Sequence, residues 1–366
     1  MKLDETLIEK FLSIDQSSLT EGKYSAKTNN FYQAVKIFQK GKLCEKYSIR
    51  PIQFTFEITN QCNCCCEHCG MSAGRGINRA KLNMEKLKTI SDFCQQAGIP
   101  SYAITGGEPF LEFENMCNFI KLCKGKLDAI KLISNGFWGR EVEKYFDGLK
   151  NAGFFENNIF IPAIQLSIGE QDVPLEYICN IIKYVSENYS MSQLHLGIIF
   201  TMSEKTGDKL SQLYETYLNK YGSFPEKRVF LTLSEYKNYV EGQGDKLVVE
   251  TESVFEKIGQ CDNKFAQEIG KFVSPKIFMK VNGDCYPCEI FNMHKDVFLG
   301  NLFSDGIEKV LENYNSNKYI KFIQNYGTIS FRDVITERVL KEKQVETPCM
   351  ACEFCIKYCQ KHNLIK

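Results

Sequence analysis

Six strand-like runs alternate with helix-like runs between Gln53 and about Tyr239, and this alternation limits the possible folds more than any other feature. The strand segments read as Phe54–Ile58, Tyr102–Thr105, Ile130–Ile133, Ile161–Ser167, Leu194–Thr201 and Val229–Leu233. Apolar periodicity predicts helices over Met84–Gln96, Glu112–Lys124 and Glu141–Ala152, with Gly98 and Gly153 standing where two of them end. Strand–helix units in series imply parallel strands, because a parallel neighbour is reached only through a crossover. The expected core is therefore α/β, a partial, TIM-like (β/α)6 barrel over residues 51–240. Chemistry in such folds gathers at the carboxyl ends of the strands.

Two flanking stretches differ in character. Residues 1–50 read as a polar helical extension with a Ser/Thr/Asn-rich break around Ser17–Asn30. Within it Phe31–Lys40 places Phe31, Ala34, Val35 and Phe38 on one face, the pattern of a helix docked on the main domain. Residues 241–366 form a small cysteine-rich segment. With 43% hydrophobic residues in 366, the chain can bury a large core. Lys+Arg and Asp+Glu both number 45 and no basic cluster stands out, so nothing draws in nucleic acid. The first residues, Met1-Lys-Leu-Asp-Glu-Thr, lack the apolar centre of a secretory signal, and no long apolar run suggests a membrane span. Seventeen cysteines without an export signal point to metal or redox use in a cytoplasmic, oxygen-poor setting, rather than to a disulfide framework.

The expected carboxyl ends carry the notable residues. Gln61-Cys-Asn-Cys-Cys-Cys-Glu-His-Cys-Gly70 follows the first strand and contains Cys62-x3-Cys66-x2-Cys69. Three thiolates at that spacing can hold three corners of an iron–sulfur cubane and leave the fourth iron open for chemistry. Zinc is the alternative, since Cys66-x2-Cys69 is a usual half-site, although only four histidines exist to complete one. Gly106-Gly107-Glu108-Pro109 follows the second strand: glycines admit close backbone approach, and a carboxylate accepts bonds from an ammonium group. A plain turn is the simpler reading of that motif. Ser134-Asn135-Gly136 follows the third strand, while Ser167 and Thr201 end the fourth and fifth; strand-end caps are their simpler reading. Trp138, the single tryptophan, reads as a packing residue.

The cysteine triad and the Gly-Gly-Glu loop, placed in this order on one barrel, closely resemble the radical S-adenosylmethionine (SAM) enzymes over roughly residues 52–240. The resemblance implies a [4Fe–4S] cluster on Cys62, Cys66 and Cys69, and reductive cleavage of SAM to a 5′-deoxyadenosyl radical that abstracts hydrogen. It implies SAM contacts from Gly106, Gly107 and Glu108 to the amino group, and from Ser134, Asn135 and Ser167 to ribose and carboxylate. His68 occupies the position of an aromatic residue beside SAM in that family, or is an ordinary loop histidine. Cys64 and Cys65 are surplus, either as loop residues or as sulfur suppliers.

A second group comprises Cys261, Cys285 and Cys288 within Val281-Asn-Gly-Asp-Cys-Tyr-Pro-Cys288, and the run Cys349-x2-Cys352-x2-Cys355-x3-Cys359. The run has ferredoxin spacing, with zinc as the alternative. Together with Gly283-x4-Cys288 it resembles the SPASM and twitch extensions of radical SAM enzymes, which carry auxiliary [4Fe–4S] clusters. Seven cysteines are one short of filling two clusters, so one auxiliary cluster or two remain open. Relatives with such extensions mostly modify peptides, as epimerases, thioether or carbon–carbon crosslinkers, or sulfatase maturases. Ile104–Glu108 with Leu132–Gly139 is most similar to the epimerases. The resemblance thus implies a ribosomally made peptide substrate with a leader segment, and an electron donor such as flavodoxin or ferredoxin. Epimerisation needs a hydrogen donor, so Cys285 is either that donor or an auxiliary ligand. A radical SAM dehydrogenase or epimerase of small molecules is the alternative.

Overall fold

The computed structural model describes residues 5–13, 38–66, 69, 73, 79–124, 129–156, 161–202, 206–235, 276–289, 297–321 and 361–362. Six parallel strands run in sequence order: β2 (Gln53–Thr59), β3 (Ser101–Gly106), β4 (Ala129–Ser134), β5 (Ala163–Ile168), β6 (His195–Met202) and β7 (Val229–Glu235). They coincide with the six expected strands to within a few residues. Helices α2 (Met84–Ala97), α3 (Phe113–Cys123), α4 (Val142–Asn151), α5 (Leu175–Asn188) and α6 (Lys209–Tyr221) make the crossovers.

Alternation along the strands sorts residues between two faces. On β2, Phe54 and Phe56 meet Phe93 of α2 and Phe119 of α3, with ring centroids 4.9 and 5.1 Å apart. Thr55, Glu57 and Thr59 therefore face the barrel interior. On β5 and β6, Ile164, Leu166, Leu196 and Ile198 are buried in the apolar core. Ala163, Gln165, His195 and Gly197 take the opposite, inner face. Helix ends follow from local chemistry. Asn83 caps α2 by accepting from Lys86 N at 2.9 Å. Gly98 ends it at φ +84°, where a Cβ would press on Lys42. Trp138 stacks on Phe110 at 4.5 Å and is fully buried, a packing residue as expected.

The flanks depart from their expected form. The chain start is not wholly helical: after α1 (Glu5–Ile8), β1 (Leu12–Ser13) pairs parallel with β7 and covers its open edge. Phe11 anchors it against Phe224 at 5.1 Å. Most of Phe31–Lys40 lies outside the described residues. At the other edge the sheet continues into the expected C-terminal segment. Strand β8 (Lys276–Met279) pairs parallel with β2, and β9 (Asp284–Tyr286) and β10 (Gly300–Asn301) follow antiparallel. A turn through Asn282-Gly283 joins β8 to β9; Gly283 holds φ +100°, where a Cβ would strike Phe303 and Asn301. Asn301 then caps α7 (Leu302–Ser316), accepting from Phe303 N and Ser304 N. No described helix is long and apolar enough to cross a membrane.

Candidate functional site

The carboxyl ends of β2, β3 and β4 are tied to one another by main chain and by one buried carboxylate. Gly107 N donates to Thr59 O (2.8 Å) and Glu108 N to Gln61 O (2.7 Å), lacing the β3 loop to the start of the cysteine loop. Glycine is required for this. A Cβ on Gly106 would lie 2.2 Å from Thr59 O, and one on Gly107 1.9 Å from Gln61 O; Gly106 also holds φ +144°. The close approach expected toward a ligand is thus made to the backbone of the cysteine loop.

Glu108 turns inward and is 0% exposed. One carboxylate oxygen accepts from Phe110 N (3.0 Å) and Ser134 Oγ (2.8 Å), the other from Asn135 N (2.7 Å). Burial pushes its pKa up to about 8 against the opposing pull of these donors. A carboxylate has about four acceptor sites, and three of them are met by the chain itself. With three chain donors and no solvent face, it joins the β3 loop to the end of β4. Ser134 is engaged likewise. Its hydroxyl donates to Glu108 and accepts from Gly136 N (3.0 Å) and Trp138 Nε1 (3.0 Å). A hydroxyl has one donor and two acceptor sites, and all three are engaged within the chain.

Asn135 continues the chain of contacts to the cysteines. Its amide donates to Asn63 Oδ1 (2.8 Å) and Cys64 Sγ (3.3 Å), with Cys62 Sγ at 3.9 Å, while its oxygen accepts from Phe137 N (3.1 Å). Cys64 N donates to Cys62 Sγ (3.4 Å). The Cys64 thiol, then the other donors converging on Cys62, bring its pKa down to about 7, so the thiolate is accessible near neutrality. Burial, then the neighbouring Cys69 and Cys62, push Cys66 up to about 11. Cys66 senses the charges of both Cys62 and Cys69, and the Asn135 amide stands beside Cys62; among the described residues no three His, Cys, Asp or Glu side chains are gathered closely enough to hold a metal ion. Cys64 is buried and Cys65 exposed; His68 lies outside the described residues.

Past Asn135 a cavity of ≈ 330 Å³ opens between the ends of β4 and β5 and the first turns of α5 and α6, with Asn135, Ser167, Gln171, Asp172 and Lys209 in its wall. Gln171 donates to Ser167 O, yet its own side-chain oxygen is buried without a partner among the described residues. Lys209 Nζ donates to Gly169 O (2.6 Å) and Gln171 O (3.0 Å), closing the β5 loop over the cavity. Sequence reasoning missed Asn63, Gln171 and Lys209. None belongs to a motif, and only the fold brings Lys209 back to β5.

Cys285 is fully buried between β9 and α7; its thiol donates to Gly283 O (3.5 Å), and burial raises its pKa. Among the described residues it is enclosed by core side chains. Cys288 is half-buried and donates to Glu289 (3.5 Å). Cys261, Cys349, Cys352, Cys355 and Cys359 lie outside the described residues.

No family model matches the chain. Among curated proteins it is 22% identical over 294 residues to the putative peptide biosynthesis protein YydG of Bacillus subtilis, covering 77% of this chain and 83% of that one. It is 21% identical over 343 residues to the antilisterial bacteriocin subtilosin biosynthesis protein AlbA of the same organism, covering 84% and 72%. It is 27% identical over 217 residues to a probable GTP 3′,8-cyclase of Thermococcus kodakarensis, covering 55% and 68%. Solved structures that overlay on it include native anSMEcpe with bound AdoMet (TM-score 0.46, 15% identity, 74% of this chain and 83% of that one). Streptococcus suis SuiB bound to S-adenosylmethionine overlays with a TM-score of 0.38, at 15% identity, over 85% and 82%.

Proposed function

We propose that this chain, a radical SAM enzyme, acts on a ribosomally made peptide and leaves it epimerised or crosslinked through a thioether or carbon–carbon bond. The observation that carries the reading is the lacing of the cysteine loop to the Gly106-Gly107-Glu108 loop and to Asn135, which holds Cys62 beside the ends of three strands. Relatives named for peptide and bacteriocin biosynthesis support the substrate class.

In this reading Cys62, Cys66 and Cys69 hold the [4Fe–4S] cluster. Bound together, cluster and SAM supply a 5′-deoxyadenosyl radical for hydrogen abstraction. The chain's own groups position the reactants. Asn135 and Asn63 fix the cysteine loop through one amide. Glu108 and Ser134 brace that amide from below, and with Gly106 and Gly107 they stay SAM neighbours by resemblance. The cavity beside Ser167 receives the nucleoside end of SAM, where the unpartnered oxygen of Gln171 takes a donor such as an amino or hydroxyl group. His68 stays a SAM neighbour by resemblance.

Cys285 (as ligand or hydrogen donor), Cys288 and the cysteines at 261, 349, 352, 355 and 359 remain candidates for one or two auxiliary clusters, within an organisation of residues 1–50, 51–240 and 241–366. Strands β8 to β10 of the last segment also extend the barrel sheet at β2. A cytoplasmic site, a flavodoxin or ferredoxin donor, a leader-bearing peptide, and no nucleic-acid or membrane partner complete the proposal. The cyclase relative favours a second reading, a small-molecule substrate.

Anaerobic reaction of the reconstituted enzyme with SAM, dithionite and candidate peptides separates the outcomes by mass. Loss of two hydrogens marks a crosslink, and unchanged mass with solvent deuterium marks epimerisation. Production of 5′-deoxyadenosine with every peptide left unaltered rejects the peptide substrate.

A further inference from the structure

On the inner face of the barrel sheet, small residues of three strands stand beside two polar side chains, Lys131 and Gln165. Lys131 of β4 stands in register with Ala103 of β3 and Ala163 of β5. On the same inner face Gln165 of β5 stands in register with Ile133 and with Gly197 of β6. Lys131 and Gln165 are thus diagonal neighbours on adjacent strands, within reach of one ligand. A Cβ on Gly197 would meet nothing nearer than 3.8 Å, so bulk is missing where a packed barrel would place it. The inner-face residues 131, 133, 163, 167, 195, 197 and 199 are half-buried while their outward neighbours are buried, so this face is open to solvent.

Both polar groups lack a partner. Gln165 is 9% exposed, and its side-chain oxygen has no hydrogen-bond partner among the described residues. Native interiors rarely leave such an atom unpaired unless a ligand or water meets it. Lys131 makes no hydrogen bond or ion pair among the described residues. The charges it senses are Lys276 and Glu289, which pair with each other at 2.5 Å, so Glu289 attracts Lys131 from a distance while bonded to another cation. Across the interior, the Glu57 carboxylate is engaged by Val281 N at 2.9 Å and is not aimed at Lys131 as a counter-ion.

We propose that this face is the substrate subsite for a carboxylate-bearing part of the peptide, with Lys131 meeting the carboxylate and Gln165 accepting an adjacent peptide N–H. A lysine inside a barrel without an ion-pair partner among the described residues favours an anion, and a carbonyl oxygen unpaired among them favours an N–H donor. The subsite rests on the peptide reading, and the carboxylate is either an Asp or Glu side chain or the peptide C-terminus.

Four dye-labelled synthetic peptide libraries test it on the reconstituted full chain with SAM bound. They differ in carrying Asp/Glu or Asn/Gln at randomised positions, and a free or an amidated C-terminus. The expected result is retention of carboxylate-bearing peptides over fully neutral ones by about tenfold, the scale of one desolvated charge pair. A preference that survives amidation assigns the carboxylate to a side chain; one lost on amidation assigns it to the C-terminus. Either preference should disappear in Lys131→Met. Should that variant not fold, Gln165→Glu places a like charge on that face and should turn the preference against acidic peptides. Equal retention of all libraries by the wild type, or an undiminished preference in Lys131→Met, overturns the subsite and leaves the peptide reading intact. No retention of any library overturns both.

Discussion

Gly107 shows how one missing side chain can hold a site together. Its hydrogen places the β3 loop against the Gln61 carbonyl, where a methyl group would sit at 1.9 Å from backbone that cannot rotate away. Gly107→Ala should therefore cost about 1–3 kcal/mol, the usual range for overpacking, and should weaken SAM binding as the loops separate. Urea unfolding and SAM titration read the two effects. Glu57 offers a pH-dependent case. Burial pushes its pKa from 4.5 up to about 7, with Val281 N the main opposing contact. A folded pKa above the unfolded one means that the folded chain binds the proton more tightly. Stability from this group is full below about pH 4.5 and is lost as pH rises through about 7. Glu57→Gln should flatten that decline, by an amount on the order of 3 kcal/mol across the window, measurable as urea midpoints at several pH values.

At the scale of elements, the cysteine loop depends on strands far away in sequence. Asn135 at the end of β4 grips Asn63 and the thiols of the loop after β2. Asn135→Ala should leave helix and strand content unchanged by circular dichroism. It should slow cluster reconstitution several-fold, because two or three hydrogen bonds worth about 1 kcal/mol each are lost from the loop. Legibility divides along the same line. Strands β2 to β7 were readable because each is long enough to alternate a helix-facing apolar set with an inner set. Strands β1, β8, β9 and β10 were not, since two to four residues carry no period and only pairing with β7 or β2 makes them strands. The positions of Gly106, Glu108, Ser134 and Asn135 were readable from strand ends. Their partners were not: a chain donor and a ligand donor ask the same residue types of a sequence, and burial alone tells them apart. Cys285 illustrates the point, because its spacing suggests chemistry while its buried position could not be read from the sequence.

The molecule as a whole is a parallel half-barrel extended at both edges, by β1 on β7 and by β8 to β10 on β2. One end of that sheet gathers the cysteine loop, the glycine–glutamate loop and the Ser167 cavity, and the interior below them is polar and open. In the proposed reading this arrangement separates the source of the radical at the rim from substrate held in the barrel, while the cysteine loop is clamped by neighbouring strand ends. The central claim is that Cys62, Cys66 and Cys69 carry a SAM-cleaving cluster. Its most direct test measures iron and 5′-deoxyadenosine in the anaerobically reconstituted wild type and in the triple variant with all three changed to alanine. The expected result is 5′-deoxyadenosine from the wild type with SAM and dithionite, with the triple variant losing that product and about four irons per chain, one cubane. Equal iron and equal 5′-deoxyadenosine in the two proteins, or no 5′-deoxyadenosine from an iron-loaded wild type, would contradict it.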